Sequence, residues 1–400
     1  MSYLHRSTHL NNWIFTQEEL ILVRDLRTIK SQTTSSKHHA SRSGGNAAEK
    51  EGAAFLGRRQ ARSFAALIPK STLAIPNVND WNDETDLKKA KDFAVEASKE
   101  AAFDTSLLPS LEEEKTLVEF YESKVQESCT QLFRTSEKVK SSAIQLFKRF
   151  YLSNSVAEFH PKYLVPTVIY VAAKVEEQYI SVETIAEHLK VDHKHVIGHE
   201  MILLEGVRFH LIMYHPFRPL LGFVDDLRLY AKAKGKQLPL ELLQILHTKA
   251  SVVVNEFLLT DVPLLYHPAQ LALAALFEAI DPTNTDTSQV CREDLIACIR
   301  LHAPGGDSIV KSMVDILGSI AKHRKRTLPS TDGTNDQADF DPKAIKAIYK
   351  KLKPFHEVYE EGNPATQGKH KTKKSKDGKD VKKRKKSTSK DNKSSKKAKK

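Results

Sequence analysis

Residues Phe147 to Ser181 read FKRFYLSNSVAEFHPKYLVPTVIYVAAKVEEQYIS. The stretch opens with an aromatic-rich helical pattern and breaks at Ser153-Asn154-Ser155. A nearly all-apolar run from Leu164 to Val175 follows. A helix that is hydrophobic almost all round belongs at the buried centre of a bundle. Pro166 lies more than a turn inside it and removes a hydrogen bond, at a cost of ~3 kcal/mol. A late start or a kink is therefore expected there. Lys174 sits where the helix emerges, before the acidic pair Glu176-Glu177. A charge in that place must reach water, a carboxylate or another protein. The acidic pair itself reads as a solvated helix end.

The partner is found downstream, in VIGHEMILLEGVRFHL (196–211). Val196, Leu203, Leu204 and Val207 form an apolar stripe at helical spacing, and Glu200 occupies a slot on it. A lone carboxylate facing a core is costly unless paired. Lys174 and Glu200 are thus expected to meet at one edge of a bundle. An ordinary structural salt bridge is the plain alternative, because a helix dipole alone favours Lys at a C-terminus.

Outward from this region, the chain is helical in pattern from Leu111 on. Helices are expected near 111–133, 136–152, 160–177, 181–189 and 193–208. A second set is expected near 216–234, 239–259, 267–280, 291–302 and 307–323. No run alternates polar and apolar residues, so a sheet is not expected. HPKYLVPTVIYVAAKVE at His160 and HPAQLALAALFEAID at His267 form an internal repeat, 107 residues apart. The fold class is therefore all-α, with two tandem five-helix units. Two end helices flank them. One starts near Thr16, which has capping-box spacing to Glu19, with a Phe15–Leu20 staple and an apolar face of Leu22, Leu26 and Ile29. The other runs from Asp341-Pro342 to Leu352, with Ile345, Ile348 and Leu352 inward and Pro354 ending it. Both are too short to stand alone in water. The first unit is the simplest surface for them to bury against, with the two also touching. The expected divisions are 1–30, 31–105 (mostly disordered, with a weak helix near 83–103), 106–213, 214–325, 326–360 and 361–400.

The 400 residues carry a formal net charge of +12. Residues 369–400 hold 17 Lys and Arg against 3 Asp and Glu, which leaves the rest at −2. The basic excess belongs to the tail, so specific nucleic-acid binding by the folded body is not expected. Within the tail, Lys382, Lys383, Arg384, Lys385 and Lys386, with Lys371, Lys373 and Lys374 upstream, have the pattern of a bipartite nuclear import signal. A solvated tail touching RNA or DNA without specificity is the competing reading. Cys129, Cys291 and Cys298 form no C-x-x-C pair, so neither a zinc ribbon nor a redox motif is expected. No apolar run reaches the ~18 residues that span a bilayer. The N-terminus has no signal-peptide core, and an intracellular protein with no membrane partner is expected. Gly44-Gly45 and Gly305-Gly306 lack phosphate-loop spacing. His160, His188, His193, His195 and His199 lack a zinc motif around them. No catalytic constellation, metal or cofactor is expected, and the chain is read as not an enzyme.

Two tandem five-helix units, with Lys ending a third helix and Glu inside a fifth, resemble the cyclin family. The resemblance narrows to its cyclin H branch on WIF (13–15), KRFYLSNSVAEFHP, AAKVEEQYIS, FHLIMYHPFRPLLGFVDDL and LTDVPLLYHPAQLALAAL. That branch supplies the regulatory subunit of the Cdk-activating kinase, which is also the kinase module of TFIIH. The resemblance implies a cyclin-dependent kinase as partner, with a ring-finger assembly subunit and the TFIIH core. It also implies a nuclear role in RNA polymerase II transcription and the cell cycle. The matching Lys174 and Glu200 would contact the kinase's regulatory helix, and Glu177 would lie at the edge of that contact. Segment 31–105 and the Lys-rich tail depart from the pattern, so nothing carries over to them. A transcription-factor-IIB-like DNA-binding factor shares the two-repeat fold, but it would need a zinc ribbon and basic repeats. Cyclin C is a further alternative, against which the WIF segment and the His215–Pro219 turn stand.

Overall fold

The helix at the centre is the one the sequence singles out. In the computed structural model it runs over Pro161–Val175 without interruption. The structure describes residues 7–9, 13–18, 20–21, 23–24, 27, 109–280, 290–302, 306–322 and 340–361. Among these, the first unit contains α1 (Leu111–Glu127), α2 (Glu137–Ser153), α3 (Pro161–Val175), α4 (Val182–Leu189) and α5 (His193–Gly206). A π-helical turn at Ser128–Leu132 continues α1. The second unit contains α6 (Phe217–Ala233), α7 (Leu240–Leu258), the short α8 (Val262–Leu265), α9 (Pro268–Ala279), α10 (Arg292–His302) and α11 (Gly306–Lys322). The last helix is α12 (Pro342–Glu361). No strand occurs among the described residues. No described helix is long and apolar enough to cross a membrane.

α3 packs against α1, α2, α4 and α5. Leu164, Val168, Ile169 and Ala172 on it are buried, and so are their neighbours Phe147, Phe150 and Leu203. α9 holds the equivalent place in the second unit, against α6, α7 and α11. Both central helices begin His-Pro. Pro in the first turn loses nothing, since that N–H has no helical partner. His160 caps α3 by accepting from the Lys162 N–H at 3.1 Å. The expected late start at Pro166 is not found: α3 starts at Pro161 and continues as helix through it. The carbonyl left without its helical donor is that of Lys162, an exposed first-turn residue where water competes well. Pro354 likewise does not end α12, which continues to Glu361. Proline removes one bond and crowds one carbonyl, a penalty that neighbouring turns absorb here.

Residues Met1–Phe355 form one compact unit, and His356–Lys400 a second, of which only the end of α12 is described. Three segments close the first unit. α5 comes so close to α2 that a Cβ added at Gly206 would lie 2.5 Å from the Phe150 ring. α12 lies on α1: Ile345, Ile348 and Leu352 are buried, the Tyr349 and Tyr121 hydroxyls touch, and the Tyr349 ring stacks on His160 at 5.5 Å. Asp341 caps α12 through the Lys343 N–H at 2.9 Å. Lys351 pairs with Glu113 at 2.6 Å, and Phe340 meets Phe120 edge to face.

The N-terminal segment docks differently from expectation. It bridges both five-helix units rather than resting on the first alone. Trp13, Phe15 and Leu20 share an apolar cluster with Leu152 of the first unit and Leu264 of the second. The Phe15 N–H donates to the Leu264 carbonyl at 2.7 Å, and Arg24 grips Asp261 through both oxygens. Arg27 pairs with Glu114 at 2.8 Å and donates to the Tyr151 carbonyl. Thus the consecutive residues Glu113 and Glu114 on α1 hold opposite ends of the chain. Phe15 and Leu20, the two residues of the expected staple, both lie in this cluster. Leu22, Leu26, Ile29 and Glu19 lie outside the described residues, as do segment 31–105 and any contact between the two end helices through them.

Trp13 is the anchor of this segment. Its Nε1–H donates to His210 Nδ1 at 3.1 Å, and the buried Arg149 guanidinium lies 4.8 Å from its ring centre. Burial pushes Arg149 down to about 9 and, with Arg149 beside it, His9 down to about 2. A neutral His9 fits its role, because its Nδ1 accepts the Tyr214 N–H at 2.9 Å.

Candidate functional site

α3 ends in a tight backbone lock that fixes where Lys174 points. The Gln178 N–H returns to the Ala173 carbonyl at 2.9 Å and the Glu177 N–H to the Lys174 carbonyl at 3.3 Å. This is the Schellman arrangement, which requires a left-handed residue between cap and exit. Glu177 fills that place with φ 57°. A non-glycine residue there costs on the order of 1 kcal/mol. The cost is held by neighbours: the Gln178 side chain accepts from the Ser136 N–H at 2.9 Å at the start of α2.

Glu176 corrects the expectation of a solvated acidic pair. Its Oε1 accepts from Ser142 at 2.5 Å and meets His215 Nε2 at 3.0 Å. The other ring nitrogen of His215 lies 2.9 Å from Ser141 Oγ. The His215 contact, opposed by burial and helped by Ser142, holds the Glu176 carboxyl below its ordinary range. The His-Pro-Phe-Arg-Pro turn thereby clasps α2 and α3 together at the foot of the site. Glu177 alone of the pair is exposed.

From this frame Lys174 reaches α5 and pairs with Glu200. Their side chains are 44% and 24% exposed, so the pair sits at the rim rather than in the core. The Lys174 ammonium also lies 4.5 Å from the Tyr170 ring centre. The expected core stripe of α5 is real at Val196, Leu203 and Val207, which are buried, while Leu204 is half-buried. α5 also presents an outward apolar face that the sequence reading missed. Ile197 and Met201 are each about half exposed and flank Glu200, and Tyr179 just beyond α3 is 89% exposed. The missed signal is a second apolar set on α5, offset by one residue from the core stripe. An ion pair whose Glu200 is flanked on α5 by exposed Ile197 and Met201 has the composition of an interface centre, where Met is enriched.

The histidines serve local structure. His188 and His199 each approach the carbonyl four residues back, and His195 stacks on Tyr163. Among the described residues, no three His, Cys, Asp or Glu side chains group to hold a metal. Lys382, Lys383, Arg384, Lys385 and Lys386 lie outside the described residues.

Residues 215–294 match the family model for the cyclin C-terminal domain. The chain is 40% identical over 174 residues to Cyclin-H1-1 of Arabidopsis thaliana, covering 43% of this chain and 51% of that one. It is 33% identical over 172 residues to Cyclin-H of Xenopus laevis, covering 41% and 51%. The match thus spans about half the length of these curated relatives. Among solved structures, a chain of the CAK complex of Chaetomium thermophilum has the same fold. Its TM-score is 0.56 at 19% identity, over 94% of this chain and 97% of that one. The chain therefore has the fold of that CAK-complex chain and a segment that matches the cyclin C-terminal domain. In sequence, the resemblance is to the cyclin H proteins.

Proposed function

We propose that this chain binds and activates a cyclin-dependent kinase, as the regulatory subunit of a Cdk-activating kinase module of the TFIIH type. The observation that carries the reading is the rim ion pair Lys174–Glu200, with the exposed Ile197 and Met201 beside Glu200 on α5 and the exposed Tyr179 just beyond α3 in sequence. A core does not need these residues outside. A partner helix does, since an apolar helix face laid into such a rim gains burial while its backbone or side chains meet the charges. The mechanism is allosteric. A kinase helix has an inward, active position and an outward, inactive one, and its catalytic Lys–Glu pair forms only in the first. This chain shifts the balance by binding the inward state more tightly. Lys174 and Glu200 meet the kinase helix, and Glu177 lies at the edge of the contact. The chain supplies no catalytic group or cofactor of its own.

The likeness to cyclin H supports a setting in the nucleus, in RNA polymerase II transcription and cell-cycle control, with a ring-finger assembly subunit and the TFIIH core as further partners. The Lys382–Lys386 run serves nuclear import in this reading, and a chain lacking residues 369–400 is expected to accumulate less in the nucleus. The central test pairs the chain with its kinase. The double variant Lys174→Ala with Glu200→Ala is expected to lower phosphorylation of a peptide substrate at least tenfold while the cyclin stays folded. Full activation by the folded double variant would sink the proposal.

A further inference from the structure

α12 packs Ile345, Ile348 and Leu352 inward. Its outer side carries Lys343, Lys346, Lys350 and Lys353, all exposed. The spacing of three, four and three residues places them in one row along the helix. The row rises about 15 Å along the axis. Between Pro342 and Phe355 there are five lysines and no carboxylate. The fifth, Lys351, is occupied by Glu113. No ion pair among the described residues involves Lys343, Lys346 or Lys350. Ala344 and Ala347 are the residues exposed between them. We propose that this lysine row is a docking surface for the phosphate backbone of a nucleic acid, read without base specificity.

Three observations favour a polyanion over a protein partner. First, a protein interface draws its affinity from a desolvated apolar or aromatic anchor, and the row has only alanine methyls to offer. Second, a phosphate backbone needs only cations, because released counterions supply the binding free energy. Third, no carboxylate stands between Pro342 and Phe355, so the row meets a line of phosphates without repulsion from its own stretch of helix. The row also leads, along the sequence, toward the 17 Lys and Arg of residues 369–400.

The test is lysine footprinting on the full-length chain. A 20-base-pair duplex of arbitrary sequence is added at low salt, exposed lysines are acetylated, and the sites are read by mass spectrometry. Lys343, Lys346 and Lys350 are expected to be protected at least threefold, while the exposed Lys190 and Lys234 on other faces are not. The triple variant K343Q/K346Q/K350Q is expected to reduce the steepness of the salt dependence of duplex binding by about 3. Protection confined to the tail lysines, with an unchanged salt slope, would overturn the proposal. So would equal protection of Lys190 and Lys234, which marks diffuse attraction. Protection of the row by polyglutamate but not by the duplex would overturn it too, in favour of an acidic protein segment.

Discussion

Two lysine–glutamate pairs that join one helix to another in the first five-helix unit share their chemistry and differ in placement. Lys148–Glu122 joins α2 to α1 with side chains 4% and 3% exposed. Lys174–Glu200 joins α3 to α5 at the rim. The buried pair cannot be reached by a partner, so its whole effect falls on the fold. The rim pair is open to water, so its effect on the fold is small and its charges stay available. Burial rather than residue type separates the structural pair from the one proposed to recognise a partner.

The comparison breaks most visibly at the buried pair. Lys148→Ala leaves Glu122 uncompensated in the core, and a loss of about 3–5 kcal/mol is expected in denaturant unfolding. A loss below about 1 kcal/mol would show that the pair is not held dry. A second measurement uses pH. Burial pushes the Glu122 carboxyl up to about 7, with Lys148 only partly offsetting it. A carboxyl raised above its ordinary value contributes stability fully below about 4.5 and loses it as pH rises through about 7. Stability is therefore expected to fall by a few kcal/mol across that window, and Glu122→Gln is expected to flatten the fall.

Gly206→Ala sharpens the comparison from the backbone side. The added methyl meets the Phe150 ring, so the ring or α5 must shift, at an expected cost of about 1–3 kcal/mol. Because Glu200 rides on α5, kinase activation is expected to fall along with the melting temperature. At the rim, Lys174→Ala or Glu200→Ala alone is expected to change stability by less than about 1 kcal/mol. A calorimetric loss comparable to that of Lys148→Ala would erase the distinction between the two pairs.

Much of this was legible in the sequence, for local reasons. The apolar run of α3, the His-Pro starts and the Lys174–Glu200 pairing follow from periodicity and from the cost of an unpaired charge. The helix set follows for the same reason. What stayed hidden depends on residues far apart in the chain. Trp13 meets His210 across 197 positions, and no local pattern announces it. Glu176 looked solvated because its partner His215 lies 39 residues on, in a turn recognised only as a resemblance. The outward set on α5 was overlooked because Ile197 and Met201 share a helix with a genuine core stripe. The proline rule failed at Pro166 and Pro354 because it prices one hydrogen bond and not the packing around it.

The N-terminal bridge has a consequence in the order of synthesis. Arg24 emerges from the ribosome long before Asp261, 237 residues later, and Phe15 long before Leu264. At roughly 5–20 residues per second, the delay is on the order of 10–50 s. Until Leu264 arrives, Trp13 and Phe15 have only the part of their resting place built from α2 and, later, from His210. The second unit therefore does more than complete the fold when it arrives. It ends the time during which the nascent chain carries a bare tryptophan, and it makes a segment translated before both units among the last to be put away.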